Sequence, residues 1–330
     1  MSEKMVLETY AAYSLKESDR MSSSSGGVFS LLAEELLNMN GVVYGVAMSD
    51  DCKSAHFLRV TNIEQLGKLR GSKYFQAHMG DTFKLIKEDL EKQLPVLFSG
   101  TGCQVLGLKS YLGKDYSNLY CVDIICHGIP SPALWKKYVE YREEEWEARM
   151  VQVDFRSKAV SWENYGIETV NDKMENSYSS KESDPFMLMF LRNFCLRPSC
   201  HNCMAKTDKK SDITLGDFWG INASLPEMND DKGTSLVLLR TEKGRVLFNK
   251  IQVNKKTADY SIAIKYNTAE NHSVPIPLER MSFFKDMSAM SFKKLSRRYG
   301  FKRGNTIACK IRTKGLKFWC LMRNKCANIR

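Results

Sequence analysis

The stretch "PVLFSGTGCQVLGLKSYLGKDYSNLYCVDIICHG", Pro95 to Gly128, sets the architecture. "PVLFSG" is an apolar run of strand length. "CQVLGLKSYLG" then reads as a helix closed by Gly113, and "NLYCVDIIC" as a second buried strand. "SPALWKKYVEYREEEWEARM" continues as a long helix, with Ser131 or the preceding loop as its cap. Strands alternating with helices imply a parallel sheet with helices packed on it.

Working outward toward the N-terminus, "SSSSGGVFSLLAEELLNMNG" reads as a serine-rich turn, a helix and a stop at Gly41. "GVVYGVAM" and "AHFLRV" follow as strands, "IEQLGKLR" as a short helix, "GSKYFQA" as an extended segment and "DTFKLIKEDLEKQ" as a helix. From Val151 the pattern changes. "VQVDFRSK" and "WENYGIETVND" look like antiparallel strands, "DPFMLMFLRNF" a helix, and "DITLGDFW" and "SLVLLRT" strands again; the chain from about Leu278 is helical and basic. The expected fold is α/β: a sheet containing parallel strands with flanking helices, a smaller mixed or antiparallel α+β portion, and a basic helical tail. The expected divisions are 1–150, 151–277 and 278–330.

The chain has 330 residues, 43% hydrophobic and 26% charged, ordinary values for a globular protein. Its net charge of +11 is localised. Thirteen of the 49 Lys and Arg, and no Asp or Glu, lie from Met287 to Arg330; the body keeps 36 cations against 38 anions. A near-neutral body weakens a nucleic-acid reading. The tail interleaves its cations with Phe318, Trp319 and Leu321, which suits peripheral contact of residues 287–330 with a membrane surface. No apolar run approaches the roughly 18–20 residues of a membrane span, and the N-terminus is polar with no signal peptide. Ten cysteines are too few for a disulfide scaffold of this length. Clustered thiols then point to a cytoplasmic, reducing setting and to metal or redox work.

The densest cluster is "FCLRPSCHNC", with Cys195, Cys200 and Cys203 spaced C-x4-C-x2-C. A soft-ligand site usually takes four ligands. Cys103 follows the first strand of the βαβ unit and Cys126 ends the second, so both emerge at one carboxyl edge. Parallel neighbours sit about 4.8 Å apart. Flanking glycines Gly100, Gly102 and Gly128 let the backbone approach a bulky cofactor. Cys103, Cys126, Cys200 and Cys203 can thus supply four thiolates, with Cys195 a competing fourth. Cys121 reads as a buried strand thiol, and Cys52, Cys309, Cys320 and Cys326 as isolated. A single C-x2-C pair leaves zinc and an iron–sulfur cluster both open.

Other candidates are anion- and ring-binding. Ser24, Ser25, Gly26 and Gly27 stand at a helix N-terminus, where free N–H groups favour a phosphate; a plain capped helix is the bland alternative. "RGSKYFQ" offers Arg70, Ser72, Lys73 and Tyr74 to a phosphate and a flavin ring, or is a solvated loop. His127 and Asp217 are candidate proton-handling groups, against a satisfied loop histidine and a solvated carboxylate. Hydrolase motifs of the G-x-S-x-G and H-E-x-x-H kinds are absent from the sequence.

The collinear set "SSGGVFSLL", "GSKYFQ", "FSGTGCQVLGLKSYL", "VDIICHGIPSPALWKKY", "DFRSK", "LRPSCHNCMAK" and "SDITLGDFWG" resembles the coenzyme F420 hydrogenase/dehydrogenase beta-subunit family, from about Ser22 to Leu239. The resemblance implies an oxidoreductase with FAD and a [4Fe–4S] cluster, ligated by Cys103, Cys126, Cys200 and Cys203; Cys195 falls outside the pattern. It implies FAD contacts from "SSGGVFS" and "GSKY", and electron transfer between a hydride-type carrier and one-electron centres. Two features depart from the family. The ferredoxin-like C-x2-C-x2-C-x3-C-P module of many relatives is missing, which implies a separate donor, a ferredoxin or another reduced carrier. Gly102 replaces the usual proline of "GTPCQ", which should soften that loop. Similar members accompany bacterial surface-polysaccharide genes, implying a sugar or glycan substrate. The alternative is a non-redox, zinc-stabilised scaffold in glycan assembly.

Overall fold

The computed structural model describes residues 6–301. Eleven strands occur among them: β1 Glu8–Ser14, β2 Val42–Met48, β3 Ala55–Val60, β4 Val96–Thr101, β5 Leu119–Ile124, β6 Met150–Ser157, β7 Gly166–Asn171, β8 Asn176–Ser180, β9 Ile213–Asp217, β10 Ser235–Leu239 and β11 Val253–Thr257. Eight form one sheet in the order β11-β1-β10-β9-β5-β4-β2-β3, and β6-β7-β8 form a second, antiparallel sheet. The centre is parallel: β2 with β4, β4 with β5, and β5 with β9. The expected α/β class, with parallel strands and a smaller antiparallel portion, holds.

Strand alternation assigns the two faces. In β4, Val96 and Phe98 pack with Leu108 and Leu112 of the helix Gly102–Leu112, while Leu97 points to the opposite core. That opposite core is filled by Leu32 and Leu36 of the helix Val28–Asn38 and by Leu247 and Phe248 of the helix Glu242–Lys250. In β10, Val237 and Leu239 share this core, whereas Leu236 and Leu238 join Trp162 and Phe218 behind. A separate aromatic core gathers Trp135, Tyr138, Phe155, Phe186, Phe283 and Phe292. It joins the helix Pro132–Trp146 to the small sheet and to the helices Pro185–Leu191, Arg280–Ala289 and Phe292–Tyr299.

One relation was not foreseen from sequence. β9, β10 and β11 come from the second half of the chain, yet complete the sheet begun by the first. The expected boundary at residue 150 therefore runs through one continuous sheet. β1, unassigned from sequence, is its antiparallel link between β10 and β11. The basic tail begins as expected with two helices, and residues 302–330, with Cys309, Cys320 and Cys326, lie outside the described residues. Among the described residues no helix is long and apolar enough to cross a membrane.

Candidate functional site

Parallel pairing sets Thr101 opposite Ile124, so β4 and β5 end level. Thr101 then opens a helix through a capping box, its backbone N–H donating to Gln104 Oε1 at 2.8 Å. This fixes Gly102 and Cys103 in the first turn. Gly102 is the first residue of this capped helix, and a Cβ there would meet Ala205 and Asp123 at 3.0 Å. Cys126 lies two residues past β5, and the turn Pro198–Asn202 carries Cys200 and leads to Cys203.

Cys103, Cys126, Cys200 and Cys203 line one cavity, together with Asp123, His127, Gly128, Lys206 and Lys209. All four are free thiols. The backbone N–H of Ile129 donates to Cys200 Sγ at 3.3 Å, and that of Cys203 to Ser273 Oγ at 2.9 Å. Lys206 Nζ donates to the Cys126 carbonyl at 2.6 Å. Burial pushes the Cys126 thiol up to about 12; Lys206 opposes this, and the neighbouring Cys103 and Cys200 reinforce it. Four thiolates cannot collect here without a compensating cationic centre. Among the described residues, no three His, Cys, Asp or Glu side chains are arranged around a single metal ion. Cys195 is buried in the aromatic core and does not line this cavity, and Cys121 is a buried strand thiol.

Sequence reading missed the polar network behind Asp123 and Lys209 of the cavity wall. Thr214 Oγ1 donates to Asp123 Oδ1 at 2.5 Å and accepts from Arg240 Nε at 2.7 Å. Arg240 and Lys209 both pair with the fully buried Glu270. Burial raises the Asp123 carboxyl above the ordinary range. The available signal was a carboxylate inside the apolar run "LYCVDII".

His127 also lines the cavity. Its Nε2 lies 2.7 Å from Asn193 Oδ1, its ring meets Phe190 edge-on at 5.2 Å, and burial lowers its pKa. Phe190 in turn lies 4.9 Å from the ring of Tyr74. An aromatic line thus joins the "GSKY" segment to the thiols. Asp217 is placed elsewhere: it is held by Arg156 through two bonds of 2.7 and 3.0 Å and accepts from Trp162 Nε1 at 3.2 Å.

The two segments suited to an anion and a ring do come together. Ser24 Oγ accepts the Ser72 N–H at 2.9 Å and lies 2.9 Å from Ser72 Oγ. Ser25 Oγ donates to the Thr234 carbonyl, and the Gly26 N–H donates to Ser235 Oγ. Gly26 passes so close to β1 that a Cβ would lie 2.4 Å from the Ala12 carbonyl oxygen, and Gly27 enters the helix with φ of 82°. Arg70 donates to Ser22, Ser30 and Asp19. Lys73 donates to the Arg70 carbonyl at 2.7 Å, and burial lowers it to about 8. Lys158, which sequence reasoning did not single out, ties this region together by donating to the carbonyls of Arg20, Ser25 and Lys232 at 2.6, 2.8 and 2.7 Å.

Two family models match the sequence. The one for the N-terminal part of the coenzyme F420 hydrogenase/dehydrogenase beta subunit covers residues 9–84, and the one for its C terminus covers residues 94–262. No curated protein matches. Among solved structures, the chain is similar to one in the xenon-derivatised F420-reducing [NiFe] hydrogenase complex from Methanosarcina barkeri. The TM-score is 0.55 at 14% identity, covering 90% of this chain and 96% of that one. At that identity the likeness shows the fold.

Proposed function

The chain belongs to the coenzyme F420 hydrogenase/dehydrogenase beta-subunit family, and we propose that it is a flavin- and [4Fe–4S]-dependent oxidoreductase subunit. The observation that carries this reading is the single cavity lined by Cys103, Cys126, Cys200 and Cys203. The donor set fits a polynuclear cluster: four thiols surround a space, and a backbone N–H is aimed at one sulfur. A single zinc ion would need all four at about 2.3 Å from one point. The "SSGG" and "GSKY" segments, with Ser24, Ser25, Gly26, Gly27, Ser72, Lys73 and Tyr74, are the proposed FAD contacts. Their mutual docking and the half-buried Lys73 beside them suit a phosphate, whose charge would hold the ammonium protonated.

When bound, a flavin next to a cluster couples two-electron to one-electron chemistry. The chain's own residues hold the two places together. Lys158 fixes Ser25 from below, Phe190 bridges Tyr74 to His127, and Asn193 orients the His127 ring. Lys206 brings positive charge near the Cys126 thiol, and the Ile129 N–H donates to Cys200 Sγ. His127, kept neutral by burial, is the proposed proton-handling group at the cavity wall.

A separate donor, a glycan-pathway substrate, a cytoplasmic setting and membrane contact through 287–330 belong to the same reading. They rest on the sequence resemblance and the cationic tail. The test is Cys200→Ala in the full chain: cluster iron should fall to background while the protein stays folded. Unchanged iron would remove Cys200 from the ligand set, and stoichiometric zinc in the parent protein would favour the scaffold alternative.

A further inference from the structure

Among the described residues, hydrogen-bond donors of two kinds are aimed at the cavity's thiols. The backbone N–H of Gly128 serves Cys126, and that of Ile129 serves Cys200. The other donor is a side chain: Thr101 Oγ1 lies 3.1 Å from Cys103 Sγ. Between a hydroxyl and a thiol, either atom can donate. A thiolate bound to metal has no proton to give, so in the loaded protein the Thr101 hydroxyl is the donor and the sulfur the acceptor. Thr101 ends β4 opposite Ile124, and it is buried whereas Cys103 is exposed. The hydroxyl therefore meets the sulfur from the protein side, out of bulk water, where a hydrogen bond is stronger. It also has a second acceptor. Gln104 Oε1 lies 3.1 Å from Oγ1, the same distance as the sulfur. That oxygen already accepts the Thr101 N–H at 2.8 Å and does not depend on the hydroxyl. One proton thus stands between two acceptors, and the charge on the sulfur decides which of them it faces.

We propose that the Thr101 hydroxyl sets the reduction potential of the centre held at Cys103, turning its proton from Gln104 Oε1 to Cys103 Sγ as negative charge builds on the sulfur. The proposal rests on the reading that the four thiols hold a cluster. An electron gained there is lost by the separate reduced donor, and it increases the charge on the ligand sulfurs. A hydrogen bond aimed at sulfur then stabilises the reduced form and raises the potential. The proton stays on Thr101 throughout, and no covalent bond is made or broken. Backbone donors survive any side-chain substitution; Thr101 is the donor that substitution can remove.

The test is an anaerobic redox titration of the full-length protein with dithionite, read by electron paramagnetic resonance of the reduced centre. Iron is assayed on the same samples. Thr101→Val keeps the side-chain shape and removes the hydroxyl. Its reduction equilibrium should fall three- to tenfold, a shift of about 28–59 mV for one electron. Thr101→Ser, which restores the hydroxyl, should return to the parent value. Gln104→Met removes the competing acceptor and leaves the hydroxyl, so reduction should be unchanged or favoured. If Thr101→Val holds no iron, Thr101→Ala takes its place with the same expectation. An iron-loaded Thr101→Val that titrates like the parent would overturn the proposal and leave the cluster reading intact. An equal fall in Gln104→Met and Thr101→Val would overturn it as well, reducing Thr101 to its part in starting the helix. Loss of iron from both hydroxyl-free variants while Thr101→Ser stays loaded would also overturn it, making Thr101 a residue of cluster assembly. Iron-free parent protein would overturn the cluster reading itself.

Discussion

Arg156 grips both carboxylate oxygens of Asp217, joining the end of β6 in the small sheet to the end of β9 in the large one. The guanidinium is almost wholly buried, lies 3.8 Å over the Tyr165 ring and 5.1 Å from that of Trp219, and its pKa is raised, chiefly by Asp217 acting against burial. Asp217→Asn would leave that cation without its partner, at a cost of about 3–5 kcal/mol. Urea denaturation should show the loss directly. A variant that keeps its stability but loses turnover would instead make Asp217 a proton-handling residue.

Asp184 caps the helix Pro185–Leu191, accepting from the Met187 N–H and the Tyr138 hydroxyl, both at 2.9 Å. Burial raises its pKa from 3.8 to about 6. A carboxyl raised in the folded state stabilises that state fully below its unfolded pKa and loses the contribution as pH rises through the folded one. Relative to Asp184→Asn, which keeps an acceptor for the cap, the parent protein should lose stability between pH 4 and 7, by at most on the order of 3 kcal/mol. A parent-to-variant difference that stays flat across this range would show that the carboxyl does not titrate there.

Gly26 and Gly67 make opposite predictions from the same substitution. A Cβ at Gly26 would strike the Ala12 carbonyl oxygen at 2.4 Å and the Ser235 nitrogen at 2.9 Å, while one at Gly67 meets nothing within 4 Å. Gly26→Ala should cost about 1–3 kcal/mol and lower flavin content by displacing the "SSGG" turn. Gly67→Ala should be neutral or slightly stabilising, within about 1 kcal/mol. Thermal melts of the pair decide it.

Lys158→Met removes the donor shared by the Arg20, Ser25 and Lys232 carbonyls. Burial lowers the pKa of this lysine to about 8, so at neutral pH it still carries the proton those carbonyls require. Flavin should fall several-fold in the variant with iron unchanged, since the thiol cavity does not use Lys158. Parallel loss of both would mean that Lys158 supports the whole fold.

Much of this was legible because it is local. The βαβ unit from Pro95 to Cys126 announces itself by two apolar runs and a helix closed at Gly113, and it delivers Cys103 and Cys126 to one edge. The sequence offered "SSGG" and "GSKY" as separate candidate segments, and the contact of Ser24 with Ser72 is seen only in the fold. What stayed hidden depends on pairing across long separations. Nothing within "DITLGDFW" states that it lies parallel to β5, or that β10 and β1 continue the same sheet. Arg156 pairs with a carboxylate 61 residues away and Lys158 with a carbonyl 133 residues away. Such partners are fixed by the folded arrangement of the two sheets and leave no periodic trace in the sequence.

The central claim is that Cys103, Cys126, Cys200 and Cys203 enclose one iron–sulfur centre beside a flavin. The most direct measurement is an ultraviolet–visible spectrum of anaerobically purified protein, with iron, sulfide, zinc and flavin assayed on the same sample. The account predicts a broad absorbance shoulder near about 400 nm that bleaches on reduction, iron and sulfide in equal amounts, and releasable flavin. A colourless protein carrying zinc, or no metal, would contradict it.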